Sequence, residues 1–100
     1  MRAFFIFLLL LILVSGCIGD EKEIAKNKCI ALCKEFKNNG TDLSNGPCLS
    51  NEIIEDWVCD VAHWPRLDVD NDPRNQCPAF GKTARHFVEV DPNCNFIRAF

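Results

Sequence analysis

Lysine and arginine are in the minority in this chain, 11 against 14 acidic residues, for a net charge of −3. Nothing in it forms the basic stripe that a nucleic-acid footprint requires, so no nucleic-acid partner is expected. Reaction signatures are scarce too. There is no Gly-x-Ser-x-Gly elbow and no Cys-x-x-Cys pair of the kind that tunes a redox thiol. Histidine occurs only at His63 and His86. No internal repeat, low-complexity tract or cofactor fingerprint is present, and no cofactor is expected. What the chain does have is apolar content. At 48% hydrophobic and 25% charged it is too apolar for a disordered tail. One hundred residues hold at most one small domain.

That apolar content is unevenly spread. Ala3 to Val14 is an unbroken run of 12 apolar residues, whereas the other 88 residues hold 36. As a helix the run rises about 18 Å, short of the ~30 Å hydrocarbon core of a bilayer. Met1-Arg2 precedes it, and Ser15-Gly16-Cys17 closes it with small residues. A positive start, an apolar stretch and a small-residue end are the layout of a secretory signal.

The end of this segment, Val14-Ser15-Gly16-Cys17, resembles the lipobox of prokaryotic lipoprotein signal peptides. The resemblance implies cleavage before Cys17 and a lipid on its sulfur. Residues 1–16 are then a signal peptide, and residues 17–100 form a domain at the cell membrane, facing the extracellular side. The competing reading is an uncleaved signal anchor with an incidental cysteine. Arg2 is the only charged residue in 1–16, so the remaining 84 residues carry −4 where the whole chain carries −3. Such a domain is not drawn to anionic lipid by its own charge, and acyl chains must hold it.

Cys29, Cys33, Cys48, Cys59, Cys77 and Cys94 remain. In an oxidising compartment an even set of six reads as three disulfides. A domain of this size buries a limited core, and covalent cross-links are the usual remedy. Six cysteines allow 15 pairings. Cys29 and Cys33 lie one helical turn apart, and bridging them would distort the helix, which leaves 12 pairings open. Structural zinc is the rival reading, but it favours paired Cys-x₂₋₄-Cys knuckles, and only Cys29–Cys33 has that spacing.

The expected architecture is α+β: one N-terminal helix packed on a short antiparallel sheet with a C-terminal hairpin. Asp20 to Lys37 reads as an amphipathic helix with Ala25, Cys29, Leu32, Cys33 and Phe36 on one stripe. Asp20 and Glu23 form a box-like cap, and Asn38-Asn39-Gly40 is a stop. Asn39-Gly40-Thr41 is also an N-glycosylation acceptor triplet. Ser50-Asn51-Glu52 suggests the cap of a short helix holding Ile53, Ile54 and Trp57. Trp57 to Ala62 alternates as a strand with Trp57, Cys59 and Val61 on one face. Residues 65–78 show no periodicity and read as a loop tied down by Cys77. Residues 86–90 and 95–100 form a hairpin across Asp91-Pro92-Asn93-Cys94. The expected register sets Val88 opposite Ile97 and puts Glu89 and Arg98 together on the other face. Trp57, Trp64, Phe80, Phe87, Phe96 and Phe100 are large apolar residues outside the signal, and most of them are expected in the core.

Three site readings follow. Asp68, Asp70 and Asp72 resemble the start of a calcium loop, but Pro73 and Ala79 stand where an EF-hand needs Gly and Glu. Only a looser oxygen-rich calcium site survives, against a solvated acidic loop. His63 with these carboxylates is the candidate for a small enzyme. Trp64 and Arg66 are the candidate anchors of a binding surface for an envelope component or extracellular ligand, since tryptophan and arginine are the commonest interface anchors. Cys48-Leu-Ser-Asn, Asp56-Trp-Val-Cys-Asp-Val-Ala-His63 and His86-Phe-Val-Glu-Val-Asp-Pro-Asn-Cys94 resemble segments of small cysteine-rich archaeal lipoproteins. That resemblance implies a compartment and no reaction.

Overall fold

The computed structural model describes residues 20–100. Cys17 and the signal segment lie outside the described residues. Helix α1 spans Glu21–Asn38, and strands β1 Cys48–Ile54, β2 Trp57–Val61, β3 His86–Val90 and β4 Phe96–Ala99 follow. They form one four-stranded sheet in the order β1-β2-β3-β4. Together they make a small disulfide-rich α+β domain.

The helix buries the stripe its spacing predicts, with Ala25, Cys29 and Cys33 out of solvent. Its start differs from the expected box. Asp20 makes no side-chain capping bond, and the first turn begins with the Ile24 N–H donating to the Asp20 carbonyl at 2.9 Å. Its end is a Schellman-type closure. Thr41 N donates to Phe36 O and Gly40 N to Lys37 O, with Gly40 at φ 82.

β1 corrects the short helix expected after Ser50. The Glu52 N–H does donate to Ser50 Oγ, 3.1 Å, as a cap would. That bond sits instead in a strand irregularity between Ser50 and Ile54. β-branched Ile53 and Ile54 favour the strand, and the two residues Glu55-Asp56 turn it into β2, with Asp56 at φ 75.

Both outer pairs are antiparallel, but β2 and β3 are parallel, in register from Trp57↔His86 to Val61↔Val90. A parallel pair needs a long crossover, usually helical. Here residues 62–85 supply it with two 3₁₀ turns, Asp68–Asn71 and Pro73–Asn75. The hairpin of β3 and β4 is shifted by an irregularity, so Val88 faces Ala99 rather than Ile97. Cys94 at φ 67 takes up the extra turn.

Three disulfides, Cys29–Cys59, Cys33–Cys94 and Cys48–Cys77, join α1 to β2, α1 to the hairpin, and β1 to the crossover. Trp57, Cys59, Val61, Val88 and Val90 pack with the helix in one cluster; Val58, Cys77 and Ala84 form a second. The expectation of an aromatic core is overturned. Of the seven large aromatics among the described residues only Trp57 is buried; Phe36 and Phe87 are half-buried, and Trp64, Phe80, Phe96 and Phe100 are exposed. Valines and cystines fill the centre instead, because two bridges from α1 hold that helix to β2 and to the hairpin loop.

Candidate functional site

Opposite the helix, Val58, Asp60, Phe87 and Glu89 line a cavity with Arg66, Cys77 and Phe80 of the crossover and Arg98 of β4. Its volume is about 210 Å³. Alternation along the strands produces this set: residues flanking the helix-facing Cys59 and Val88 must point the other way. Asp60 and Glu89 are register partners in the parallel ladder, so two carboxylates stand side by side.

The two acids are treated differently. Glu89 is only 4% exposed, and each of its oxygens takes a different guanidinium. Arg66 Nη1 donates to Oε2 at 2.9 Å and Arg98 Nε to Oε1 at 2.6 Å. Asp60 has no such partner, and its Oδ1 is buried without a hydrogen bond. Burial, and then the neighbouring Glu89 charge, push its carboxyl up to about 8; Arg66 opposes this and Asp70 adds to it. Asp60 therefore holds its proton at neutral pH.

Arg66 is clamped, not free. Its other nitrogens donate to Asn71 Oδ1 at 3.0 Å and to the Asp70 carbonyl at 3.2 Å. Asp70 is itself a buried organiser of the crossover. It accepts from the Leu67 N–H at 2.9 Å, from the His63 N–H at 3.0 Å, and pairs with His63 Nδ1 at 2.9 Å. Burial alone would raise its pKa, but the Leu67 and His63 hydrogen bonds outweigh it and hold the carboxyl below its ordinary range.

The structure does not gather the calcium candidates. Asp70 is spent on Leu67 and His63. Asp72 is taken by its neighbour Arg74, whose side chain pulls its pKa to about 2. Asp68 is exposed. Among the described residues no group of three or more metal-ligating side chains converges. The histidines are separated as well. His63 lies past the end of β2, whereas His86 stacks on Trp57 at its start, ring centroids 4.6 Å apart. Neither has a hydroxyl or thiol hydrogen-bonded to it among the described residues.

Trp64 is 74% exposed and shares a shallow hollow with Phe96, Ile97 and Arg98 along the β4 edge. Both expected anchors are exposed, but only Trp64 is free of partners: the Arg66 guanidinium is bound to Glu89, Asn71 and the Asp70 carbonyl. Glu21, at the start of α1, lines a polar hollow with Glu55, Asp56 and Arg85. Lys37, at its other end, donates to Asn93. The helix therefore runs alongside β2 and β3 in their direction. Eighteen residues at ~1.5 Å each set Trp64's end about 27 Å from the helix start.

The sequence reading missed Asp60 as a site residue. Its signal is present: an acid inside the otherwise apolar strand Trp57-Val58-Cys59-Asp60-Val61. Asp60 is the strand's one position that is not buried. Among the described residues no helix is long and apolar enough to cross a membrane. Comparison of the chain with protein-family models, curated proteins and solved structures finds no match.

Proposed function

We propose that this protein is a lipid-anchored, non-catalytic binding module on the outer side of a cell membrane. The cysteine count carries the reading. The three disulfides use six of the seven cysteines, and the one they leave over is Cys17, the lipobox position. Disulfides also belong to an oxidising, extracytoplasmic compartment.

Cys17 and Asp20 are separated by Ile18 and Gly19, a stretch reaching about 10 Å when extended. The anchored domain then sits close to the bilayer with the helix start inward. Trp64, at the entry of the crossover, then lies on the outward side. Two acyl chains give stable attachment where one is marginal.

Intact-mass analysis of the membrane fraction tests the anchor. The expected species begins at Cys17 and carries added lipid mass, and Cys17→Ser leaves the signal uncleaved or the protein mislocalised. A chain that begins at Met1 with an unmodified Cys17 overturns the proposal.

A further inference from the structure

We propose that the cavity between the sheet and the 62–85 crossover is a site for a small organic cation, a primary ammonium on a short apolar body, which Asp60 accepts. This rests on the reading of the domain as a binding module and gives that module a ligand class.

The walls set the body of the ligand. Val58, Phe80 and Phe87 supply apolar surface, with the two phenylalanine rings edge to face at 5.4 Å. At about 210 Å³ the space lies below the roughly 300–1,000 Å³ of drug-sized sites, which favours a body of a few carbons. The polar end is set by Asp60. Its Oδ1 is a buried acceptor with no protein partner, an unfavourable state for a polar group. Asp60 lines the cavity, and its two oxygens exchange by a half-turn about Cβ–Cγ. An ammonium brings three donors and no acceptor, which suits a carboxylate and suits the clamped guanidiniums nearby not at all.

Charge decides between a cation and an anion. The groups around Asp60 are Glu89 on β3, Arg98 on β4, and Arg66 and Asp70 on the crossover. His63 is turned onto Asp70. Two carboxylates there balance two guanidiniums while Asp60 holds its proton. A cation that replaces that proton preserves the balance: Asp60 ionises, its proton leaves to solvent, and the ammonium N–H groups take its place. A bound anion would add a charge with no free partner, because Arg66 and Arg98 both already serve Glu89.

Butylammonium, butyrate and butanol are of similar size and test the charge directly. Each is titrated by NMR into the full-length oxidised protein in detergent micelles. Butylammonium is expected to shift the Val58, Asp60 and Phe87 resonances. Its affinity should rise about tenfold per pH unit between pH 5.5 and 7.5 and level off above 8, one proton being released per ligand. Asp60→Asn, checked for an unchanged near-UV spectrum and disulfide map, should weaken it at least tenfold at pH 7.5. No binding by any of the three, equal binding by butyrate or butanol, or an affinity flat with pH overturns the site. The pH series on the unaltered protein decides even if the variant does not fold. A lipid-bearing Cys17 alongside a silent cavity would sink this site while leaving the anchor in place.

Discussion

Asp60 and Gly46 are the residues where the physics is sharpest. The Asp60 carboxyl sits at about 8 in the folded protein against an ordinary 3.8. Between those values the folded state holds a proton that the unfolded chain has lost. Stability therefore falls as pH rises from about 4 to 8 and is flat above, by of order 5 kcal/mol across the window. Asp56, Asp70 and Asp72 have lowered values and act oppositely: their stabilisation is present above 4 and lost below it. Denaturant midpoints should peak near pH 4–5. Asp60→Asn should remove most of the decline and be more stable than the parent at pH 8; a parent profile that climbs from 5 to 8 contradicts the assignment. Gly46 is a packing matter. A Cβ there would lie 2.6 Å from Asp70 Oδ1 and 2.9 Å from the Val61 carbonyl, at φ +67. Neither atom can yield, since Asp70 is held by three bonds. Gly46→Ala should cost about 2 kcal/mol or more, read from thermal or denaturant midpoints, whereas Gly40→Ala meets no neighbouring atom and should cost less.

At the scale of elements, legibility tracked how local the signal was. Helix α1 could be read because its burial stripe and its Asn-Asn-Gly stop are properties of consecutive residues. The helix-facing set of β2 and the Glu89–Arg98 pair were read for the same reason, from alternation. β1 was misread because Ser50-Asn51-Glu52 makes its local bond in either a helix cap or a strand irregularity. What decides is the ladder to β2 out to Cys48 opposite Asp60, twelve residues apart. The parallel β2–β3 pair was invisible because its crossover has no helical period. Its two 3₁₀ turns are fastened by Asp70, by Arg66 reaching Glu89 and by Cys77 bonded to Cys48, and the last two partners are remote in the sequence. The candidate cavity inherits that obscurity, since it exists only where the crossover folds back over Asp60. The Cys48–Cys77 bond is the covalent part of that fold-back, closing a separation of 29 residues. Replacing both by alanine should cost about 3–4 kcal/mol. On top of this loss of global stability, amide exchange should quicken most in residues 66–80, with α1 and β2–β3 keeping their order of protection. Uniform loosening of the whole sheet would show that the bond acts through the global fold alone.

The whole molecule is built around cross-links more than around bulk. Among the described residues the largest fully buried side chains are four valines and three cysteines, and most of the large aromatics face solvent. Such a core buries little apolar area, and domains this small are marginal without covalent help. The disulfides close separations of 30, 61 and 29 residues. Each contributes about 3–4 kcal/mol by restricting the unfolded chain, so together they match the ~5–15 kcal/mol total of a typical native domain. They also tie the helix to the sheet at two points, and no other bond crosses that interface with comparable strength. Reduction should therefore unfold the domain at 25 °C in a single step, and alkylation without reductant should modify none of the six cysteines. Far-UV and near-UV spectra before and after reductant, with the alkylated mass, make the check. A reduced protein that keeps its near-UV signal would mean that the valine core suffices alone, and the accounting by cross-links would be wrong.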